Sequence, residues 1–357
     1  MSTTVAVVLL VAIIAYAVFG GADFGAGFWD LTSGSPTAGA RPREVIARSI
    51  GPVWEANHVW LIFIFVVLWT SFSEAYASIT LTLFVPLTLA ALGIVLRGTS
   101  FAFRKAVTAG HRRRLGLAFG ASSILVPYCM GAVAGGVASG RVPAGGQAGD
   151  PVDSWVNPTS ILGGVLAVAA GAYLAAVYLV WDARRLGADD MVEHFRRRAV
   201  VAGIVVAVIG AVGVFVLRAD ASYLFDGLTS RALPLVVLSV VCGVGALLLL
   251  VRGATRGARL LAVLAVASVI GAWGAAQWDY ILPESLTFAD AAAPSGTLTA
   301  VMVAVALAAV LIVPAFVLLY VLDQRGLLPE EGVEDAADRL VDRPAAASEP
   351  RADQPAP

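Results

Sequence analysis

Positions 51–60 of the sequence read GPVWEANHVW and continue directly into LIFIFVVLW at positions 61–69, which is apolar throughout. Glu55 and His58 therefore stand in the first turns of a segment that is typical of a helix buried in lipid. Ionisable groups inside a membrane are energetically costly, and where they occur they usually mark a functional site. This stretch indicates both a membrane-spanning fold and the place where its chemistry is to be sought.

The composition of the whole chain agrees with a membrane protein. Of its 357 residues, 59% are hydrophobic and 14% are charged, whereas soluble domains are about half apolar and a quarter charged. No basic domain stands apart from the apolar segments, so nucleic-acid binding is not expected. Cys129 and Cys242 lie within apolar runs, form no metal or disulfide pattern and are expected to be small buried side chains.

Nine apolar segments are long enough to cross a bilayer, which needs about 20 residues each. They are Thr4–Phe28, Val53–Phe72, Tyr76–Leu96, Leu115–Val137, Thr159–Trp181, Val200–Leu217, Leu233–Val251, Leu260–Trp278 and Leu298–Leu322. We therefore predict an all-α, polytopic integral membrane protein whose transmembrane domain covers residues 1–323. Faint similarity between the segments that precede Asp23 and Asp182 suggests two four-helix units followed by a ninth helix. Residues 324–357 are polar, acidic and rich in proline and alanine, and predict a disordered cytoplasmic tail.

The basic residues predict the orientation of these spans. Most arginines and lysines outside the tail lie in the connections after spans one, three, five and seven, whereas the remaining connections hold only Arg141, Arg218 and Arg231. By the positive-inside rule the basic connections face the cytoplasm, so the N-terminus lies outside and the C-terminus inside. The loop at 138–157 is rich in glycine, proline and aspartate and is expected to be irregular and external.

This orientation places the polar residues of the first three spans at one depth. Asp23 lies late in span one, Glu55 and His58 lie early in span two, and Arg97 closes span three, so all fall within the cytoplasmic third of the membrane at about 1.5 Å per residue. Glu55 and His58 are three residues apart and share a helix face. A carboxylate beside an imidazole suits proton transfer near neutral pH, so the pattern predicts a proton relay.

A structural explanation of the same residues stays open. Pro52 and Glu55 both suit the first turn of a helix, because of the fixed proline backbone and the helix dipole. Trp54 and Trp60 suit the aromatic belt at a membrane interface. Arg97 on its own suits a charge at the end of a helix that extends toward the headgroups.

Two other patterns narrow the chemistry. The glycines at 20–27 follow no strand, so they favour close helix packing around Asp23 rather than a phosphate loop. His58 is the only histidine inside a predicted span, since His111 and His194 are expected in cytoplasmic loops. A bis-histidine haem held within this chain is therefore not expected, and no zinc or iron–sulfur spacing is present.

Two motifs together resemble a known family. GADFGAG at positions 21–27 is followed by a basic loop, by SIGPVWEANHVWL at positions 49–61 and by a third span that ends at Arg97-Gly98. This combination, with nine spans, is similar to subunit II of the cytochrome bd-type quinol oxidases of bacterial respiratory chains. The motifs are concentrated in the first third of the chain, and the remainder matches only in topology and length.

The resemblance implies a multi-pass subunit of the bacterial plasma membrane within a heterodimer that oxidises quinol and reduces dioxygen to water. Haem b and haem d would be ligated by the partner, subunit I, and no cofactor is assigned to this chain. Membrane lipid and small accessory subunits would be further partners. The family's proton-uptake carboxylates match Asp23 and Glu55.

The resemblance also bears on the neighbouring side chains. The position of His58 can be glutamine in other members, so its role is that of a helper and not of an obligate ligand. Arg97 matches a family arginine that would pair with Asp23 or Glu55. The positions expected to be structural or to lie at the interface are Trp54, Asn57, Trp60 and Arg97.

Two other functions remain as alternatives. A proton-coupled secondary transporter would use the same buried acids without haems, although the repeats and interrupted mid-membrane helices typical of transporters are weak here. A purely structural subunit would use Asp23 and Glu55 only for packing and capping.

Overall fold

The computed structural model of the chain describes residues 1–35, 37–50, 54–103, 109–254 and 256–324. These residues are mostly helical. The elements are α1 (Ser2–Leu31), α2 (Ala40–Ile50), α3 (Trp54–Ser71), α4 (Ser73–Thr82), α5 (Phe84–Phe103), α6 (Ala109–Ala138), α7 (Pro158–Arg185), α8 (Asp189–Asp220), α9 (Ser222–Thr229), α10 (Leu233–Val251), α11 (Ala258–Ala276), β1 (Tyr280–Leu282), β2 (Leu286–Thr287) and α12 (Ser295–Gln324). The two strands form a short antiparallel hairpin in which Tyr280 faces Thr287 and Leu282 faces Leu286.

Eight helices among the described residues are long and apolar enough to cross a bilayer, namely α1, α5, α6, α7, α8, α10, α11 and α12. The second predicted span corresponds to α3, whose apolar part, Asn57–Ser71, is shorter. The prediction of a helical, polytopic membrane protein is confirmed. The count of nine spans, the two four-helix units and the orientation of the termini stay predictions.

The third predicted span, Tyr76–Leu96, is wrong as one continuous helix. α4 ends at Thr82, α5 begins at Phe84, and Leu83 between them has φ −103° and ψ 27°. Pro86 explains the interruption, because proline has no N–H to donate to the carbonyl of Thr82 four residues earlier, and its ring crowds that carbonyl. A search for apolar length alone does not detect this break.

Helices α1 and α7 make a close crossing through glycines. A Cβ added at Gly25 would overlap the backbone carbonyl of Gly171, and one added at Gly21 would lie 3.8 Å from Gly171 Cα. Small residues allow helix backbones to approach each other in membranes, where packing drives association. Trp29 adds a hydrogen bond from its Nε1 to the Ala172 carbonyl, 2.8 Å away. The crossing fixes the second half of α1, which carries Asp23, in the protein interior.

Gly25→Leu is expected to destabilise the folded protein by at least about 1–3 kcal/mol, because overpacking at a tight contact forces the backbones apart. Gly210→Leu on α8 is the matched control, since nothing lies within 4 Å of a Cβ added there. Thermal unfolding of both variants in detergent would check this. Equal unfolding temperatures for the two variants would show that the α1–α7 crossing is not tightly packed.

Several of the basic connections meet at one end of the helices, which we call the arginine-rich end. Arg41 Nε on α2 lies 3.5 Å from Asp190 Oδ2 on α8. Arg184 Nη1 at the end of α7 donates to the Ala254 carbonyl after α10, at 3.4 Å. These contacts join the connections that follow the first, fifth and seventh predicted spans, which the alternation of the spans places on the same side.

The predicted irregular loop at 138–157 is irregular in the structure and is held along α4. The N–H groups of Gly145, Gly146 and Gly149 donate to Glu74, Ser78 and Thr82 at 2.7, 3.0 and 2.9 Å. The three acceptors are four residues apart and therefore line one face of α4. Its external placement stays a prediction.

The chain divides into a large unit, Met1–Val310, and a second unit, Leu311–Pro357. The described part of the second unit, residues 311–324, forms the last turns of α12 and exposes large apolar side chains such as Leu311 and Val317. The predicted tail, residues 324–357, lies outside the described residues except for Gln324, which still belongs to α12. The division into residues 1–323 and 324–357 therefore stays a prediction.

Candidate functional site

A buried ion pair joins α1 to α5. Arg97 Nη2 donates to Asp23 Oδ1 at 2.6 Å and to the Asp23 backbone carbonyl at 3.1 Å. Arg97 is 1% exposed and Asp23 is 7% exposed. α5 continues to Phe103, so Arg97 lies within the helix and not at its end, and its side chain turns inward instead of extending toward the headgroups.

The guanidinium of Arg97 also contacts two residues of α6, Ser123 and Phe119, and the ring of Phe24 on α1. Its Nη1 donates to Ser123 Oγ, which in turn donates to the Phe119 carbonyl at 2.6 Å. The guanidinium carbon lies 4.8 Å from the ring centre of Phe24 and 4.4 Å from that of Phe119. Such positions over aromatic rings stabilise a desolvated cation. Three helices thus fix one charged group.

Gly27 makes room for this arrangement. A Cβ at position 27 would overlap Ser123 Oγ and lie 2.8 Å from Arg97 Nη1. The glycine-rich motif of α1 therefore has two structural uses, which are the crossing with α7 at Gly25 and the space for the guanidinium at Gly27. This agrees with the prediction of close packing around Asp23.

Several polar atoms around the pair are buried and have no hydrogen-bond partner among the described residues. They are Asp23 Oδ2, Arg97 Nε and Tyr16 Oη. A buried polar group left unsatisfied costs about 1–3 kcal/mol, and ordered water commonly satisfies such groups. Tyr16 lies on α1 seven residues before Asp23, which places the two on the same face of the helix. Polar atoms of this kind are suited to hold internal water beside the carboxylate.

The remaining predicted site residues lie on α3. His58 packs edge-on against Phe24, with 6.0 Å between ring centres, so the Phe24 ring contacts both His58 and Arg97. Asn57 is buried and Trp60 is half-buried. Trp54 and Glu55 are the first residues of α3, and their side chains lie outside the described part of the structure. Glu55 is therefore placed only by its backbone, one turn before His58.

Sequence reasoning missed the contribution of α6 and of Tyr16. It considered only the first three spans, whereas Ser123 and Phe119 come from the fourth. A serine pair at 122–123 inside an apolar run was an available signal, because polar side chains in spans often bond to neighbouring helices. That this pair faces Arg97 depends on long-range packing, which the sequence does not display.

The expected loop positions of two histidines are wrong. His111 lies in the first turn of α6 and His194 in the second turn of α8, because both helices extend beyond their apolar segments. Among the described residues, no group of three or more His, Cys, Asp or Glu side chains is arranged to hold a metal ion. At the Asp23–Arg97 pair, the guanidinium already occupies the cation position beside the carboxylate, which disfavours a metal ion there.

The fold and the site define a polytopic helical membrane protein with a fixed carboxylate–guanidinium pair buried inside a span. The sequence profile of the family described as "Cytochrome bd terminal oxidase subunit II" matches residues 1–323. The chain belongs to this family.

Individual relatives agree with that assignment. The chain is 28% identical over 210 residues to "Cytochrome bd ubiquinol oxidase subunit 2" of Bacillus subtilis, covering 56% of this chain and 58% of the relative. It is 23% identical over 217 residues to "Putative cytochrome bd menaquinol oxidase subunit II" of the same organism, covering 60% and 61%. The matches thus span about three fifths of the length of these curated relatives.

A solved structure shares the fold. A chain from the bd oxidase of Geobacillus thermodenitrificans superposes with a TM-score of 0.69 at 24% identity, covering 89% of this chain and 98% of that chain. The likeness supports the arrangement of helices described above.

Proposed function

We propose that the chain is the non-haem-ligating subunit of a bd-type quinol:oxygen oxidoreductase, where it packs on the haem-bearing subunit I in the bacterial plasma membrane. Its chemical contribution is a proton-uptake path from the cytoplasm. The observation that carries this proposal is the Asp23–Arg97 pair, a charged site buried in a span and surrounded by polar atoms that the described residues leave unsatisfied. Membership of the family supports the assignment to the complex.

Reduction of dioxygen to water consumes protons, and a bare charge is expensive inside a membrane. A proton carrier in a membrane therefore needs a carboxylate whose negative charge is compensated. Arg97 compensates the charge of Asp23 through Oδ1, while Oδ2 accepts no hydrogen bond from the described residues. A water molecule on the cytoplasmic side of Oδ2 would deliver a proton to that oxygen, and a second water molecule on the inner side would receive it. Glu55, at the start of α3, is the residue that we propose accepts the proton entering from the arginine-rich end.

We infer that this chain does not hold the haems implied by the family, because its predicted spans contain one histidine and a bis-histidine haem needs two. His58 is the only histidine within a predicted span, it packs against Phe24, and no metal-holding cluster exists among the described residues. We therefore assign haem b and haem d, with the quinol site, to subunit I. The oxygen-reducing chemistry is supplied there, and this chain delivers protons toward it.

Purification through an affinity tag on this chain tests the proposal. We expect a second large subunit, the absorbance of haems b and d, and quinol-dependent oxygen consumption to co-purify, whereas membranes with the untagged chain should yield none of them. A haem-free preparation that moves a solute with protons would contradict the proposal and favour a secondary transporter.

A further inference from the structure

A second polar site lies at the arginine-rich end, apart from the Asp23–Arg97 pair. It is a cleft of about 470 Å³ between the end of α1 and the start of α8. This volume is within the range of small-molecule sites, about 300–1,000 Å³. Its lining residues are Trp29, Asp190, Glu193, His194, Arg197, Arg198 and Val201.

Trp29 and Arg198 form the rigid part of this cleft. The indole of Trp29 is fixed by its hydrogen bond to the Ala172 carbonyl. The guanidinium carbon of Arg198 lies 5.4 Å from the centre of the Trp29 ring. Arg198 Nη1 also contacts His194 Nε2 on the preceding turn. The cation is thus half-buried against an aromatic surface.

The acidic residues of the cleft are already engaged by other arginines. Asp190 lies 3.5 Å from Arg41. Glu193 accepts from Arg196 at 2.7 Å and from Arg197 at 2.9 Å.

Arg198, by contrast, meets no carboxylate among the described residues, where its contacts are with His194 and Trp29. The cleft therefore presents the guanidinium of Arg198, whose charge no carboxylate of the described residues compensates, and an external anion can bind it.

An apolar stripe continues from this cation along α8. Val201, Val205, Val208 and Val212 are 58%, 44%, 57% and 53% exposed. Counted from Arg198, these valines follow one another at intervals of three, four, three and four residues. This spacing places all of them on one helix face. A half-buried cation thus stands at the head of a lipid-facing apolar stripe, which is the complement of an anionic amphiphile.

We propose that this cleft binds the phosphate headgroup of an anionic phospholipid, whose acyl chains lie along the valine stripe of α8. A guanidinium donates paired hydrogen bonds to phosphate oxygens. Basic residues near the membrane surface attract anionic lipids, and tryptophan is enriched at that depth. A zwitterionic lipid carries a compensating ammonium group and gains less from the single unpaired cation.

Native mass spectrometry of the whole complex tests this, after delipidation and titration with phosphatidylglycerol or phosphatidylcholine. We expect phosphatidylglycerol to be retained preferentially, and Arg198→Gln to weaken its binding about tenfold, as for loss of a charged hydrogen bond. Arg252→Gln is the matched control, because Arg252 is an exposed arginine after α10 and the charge change is the same. It should bind phosphatidylglycerol as the wild type does.

Thermal unfolding in phosphatidylcholine nanodiscs identifies any folding defect of Arg198→Gln. We expect this variant and the wild type to have the same unfolding temperature in that lipid. In phosphatidylglycerol nanodiscs the wild type and Arg252→Gln should gain stability that Arg198→Gln lacks. Equal retention of both lipids, or unchanged phosphatidylglycerol binding by Arg198→Gln, would overturn the proposal. So would full displacement of the lipid by inorganic phosphate, since the site would then recognise a free anion.

Discussion

Arg97→Gln is expected to destabilise the folded protein by about 3–5 kcal/mol, the usual cost of removing one partner from a buried ion pair. The variant leaves Asp23 as a buried carboxylate without its cation, and it removes the donor to Ser123 Oγ. The guanidinium also fills the space between the rings of Phe24 and Phe119, which a shorter amide does not. Chemical unfolding in detergent, with the yield of folded protein from membranes, measures the effect.

Arg141→Gln provides the control for this prediction. Arg141 pairs with Asp220 at 2.6 Å, but its side chain is 33% exposed, so water replaces much of the lost interaction and the expected cost is about 1 kcal/mol or less. The double variant Asp23→Asn/Arg97→Gln removes both buried charges together and should be more stable than Arg97→Gln alone. A double variant no more stable than Arg97→Gln would show that the charge of Asp23 is not what the arginine compensates.

The sequence predicted that Asp23 and Arg97 lie at one level of the helices, and the structure pairs them, but their surroundings were not predicted. Counting residues along antiparallel spans is enough to bring two positions to one level, because helix rise is constant. It does not reveal that α6 supplies Ser123 and Phe119, since the choice of neighbouring helix depends on packing over the whole bundle. The crossing of α1 with α7 at Gly171, distant in sequence, was hidden for the same reason.

Local chemistry accounts for the interruption of the third span. Pro86 removes one hydrogen bond and ends α4, although the surrounding residues are apolar enough to continue a span. The wrong prediction that His111 and His194 lie in loops has a related cause. Hydropathy marks where lipid begins, and α6 and α8 continue beyond that limit because arginine and acidic residues are compatible with a helix outside the membrane core. Apolar length therefore predicts spans better than it predicts helix ends.

The Asp23–Arg97 pair concerns two requirements that usually conflict, which are proton transfer and the compensation of buried charge. A proton carrier inside a membrane needs a carboxylate that changes its charge, whereas a stable fold needs every buried charge compensated. Here Oδ1 is bonded to Arg97 and Oδ2 is not bonded by the described residues, and we propose that this one carboxylate serves both purposes. Glu55, the proposed entrance residue at the start of α3, gives the clearer functional test.

Glu55→Gln is expected to slow oxygen reduction by the whole complex at least about tenfold, because positioned proton-transfer groups contribute typically 10²–10⁴-fold to rates and water can bypass part of the loss. The amide keeps the size of the side chain but does not carry a proton between water and Asp23. Oxygen consumption with excess quinol measures the rate, and the visible spectrum of the same preparation measures haem content, which should stay at the wild-type level. Glu55→Asp keeps a carboxylate and should retain most of the activity.

Glu44→Gln distinguishes a specific entrance from general loss of negative charge at the arginine-rich end. Glu44 is 45% exposed and pairs with Arg41 and Arg48 on α2, so its replacement should leave turnover unchanged. A slow proton step in Glu55→Gln should also show a larger solvent deuterium isotope effect than the wild type, which a helix-capping role would not produce. Wild-type turnover in Glu55→Gln, with intact haems, would assign Glu55 to the start of α3 as a capping residue and leave Asp23 to be supplied with protons by another route.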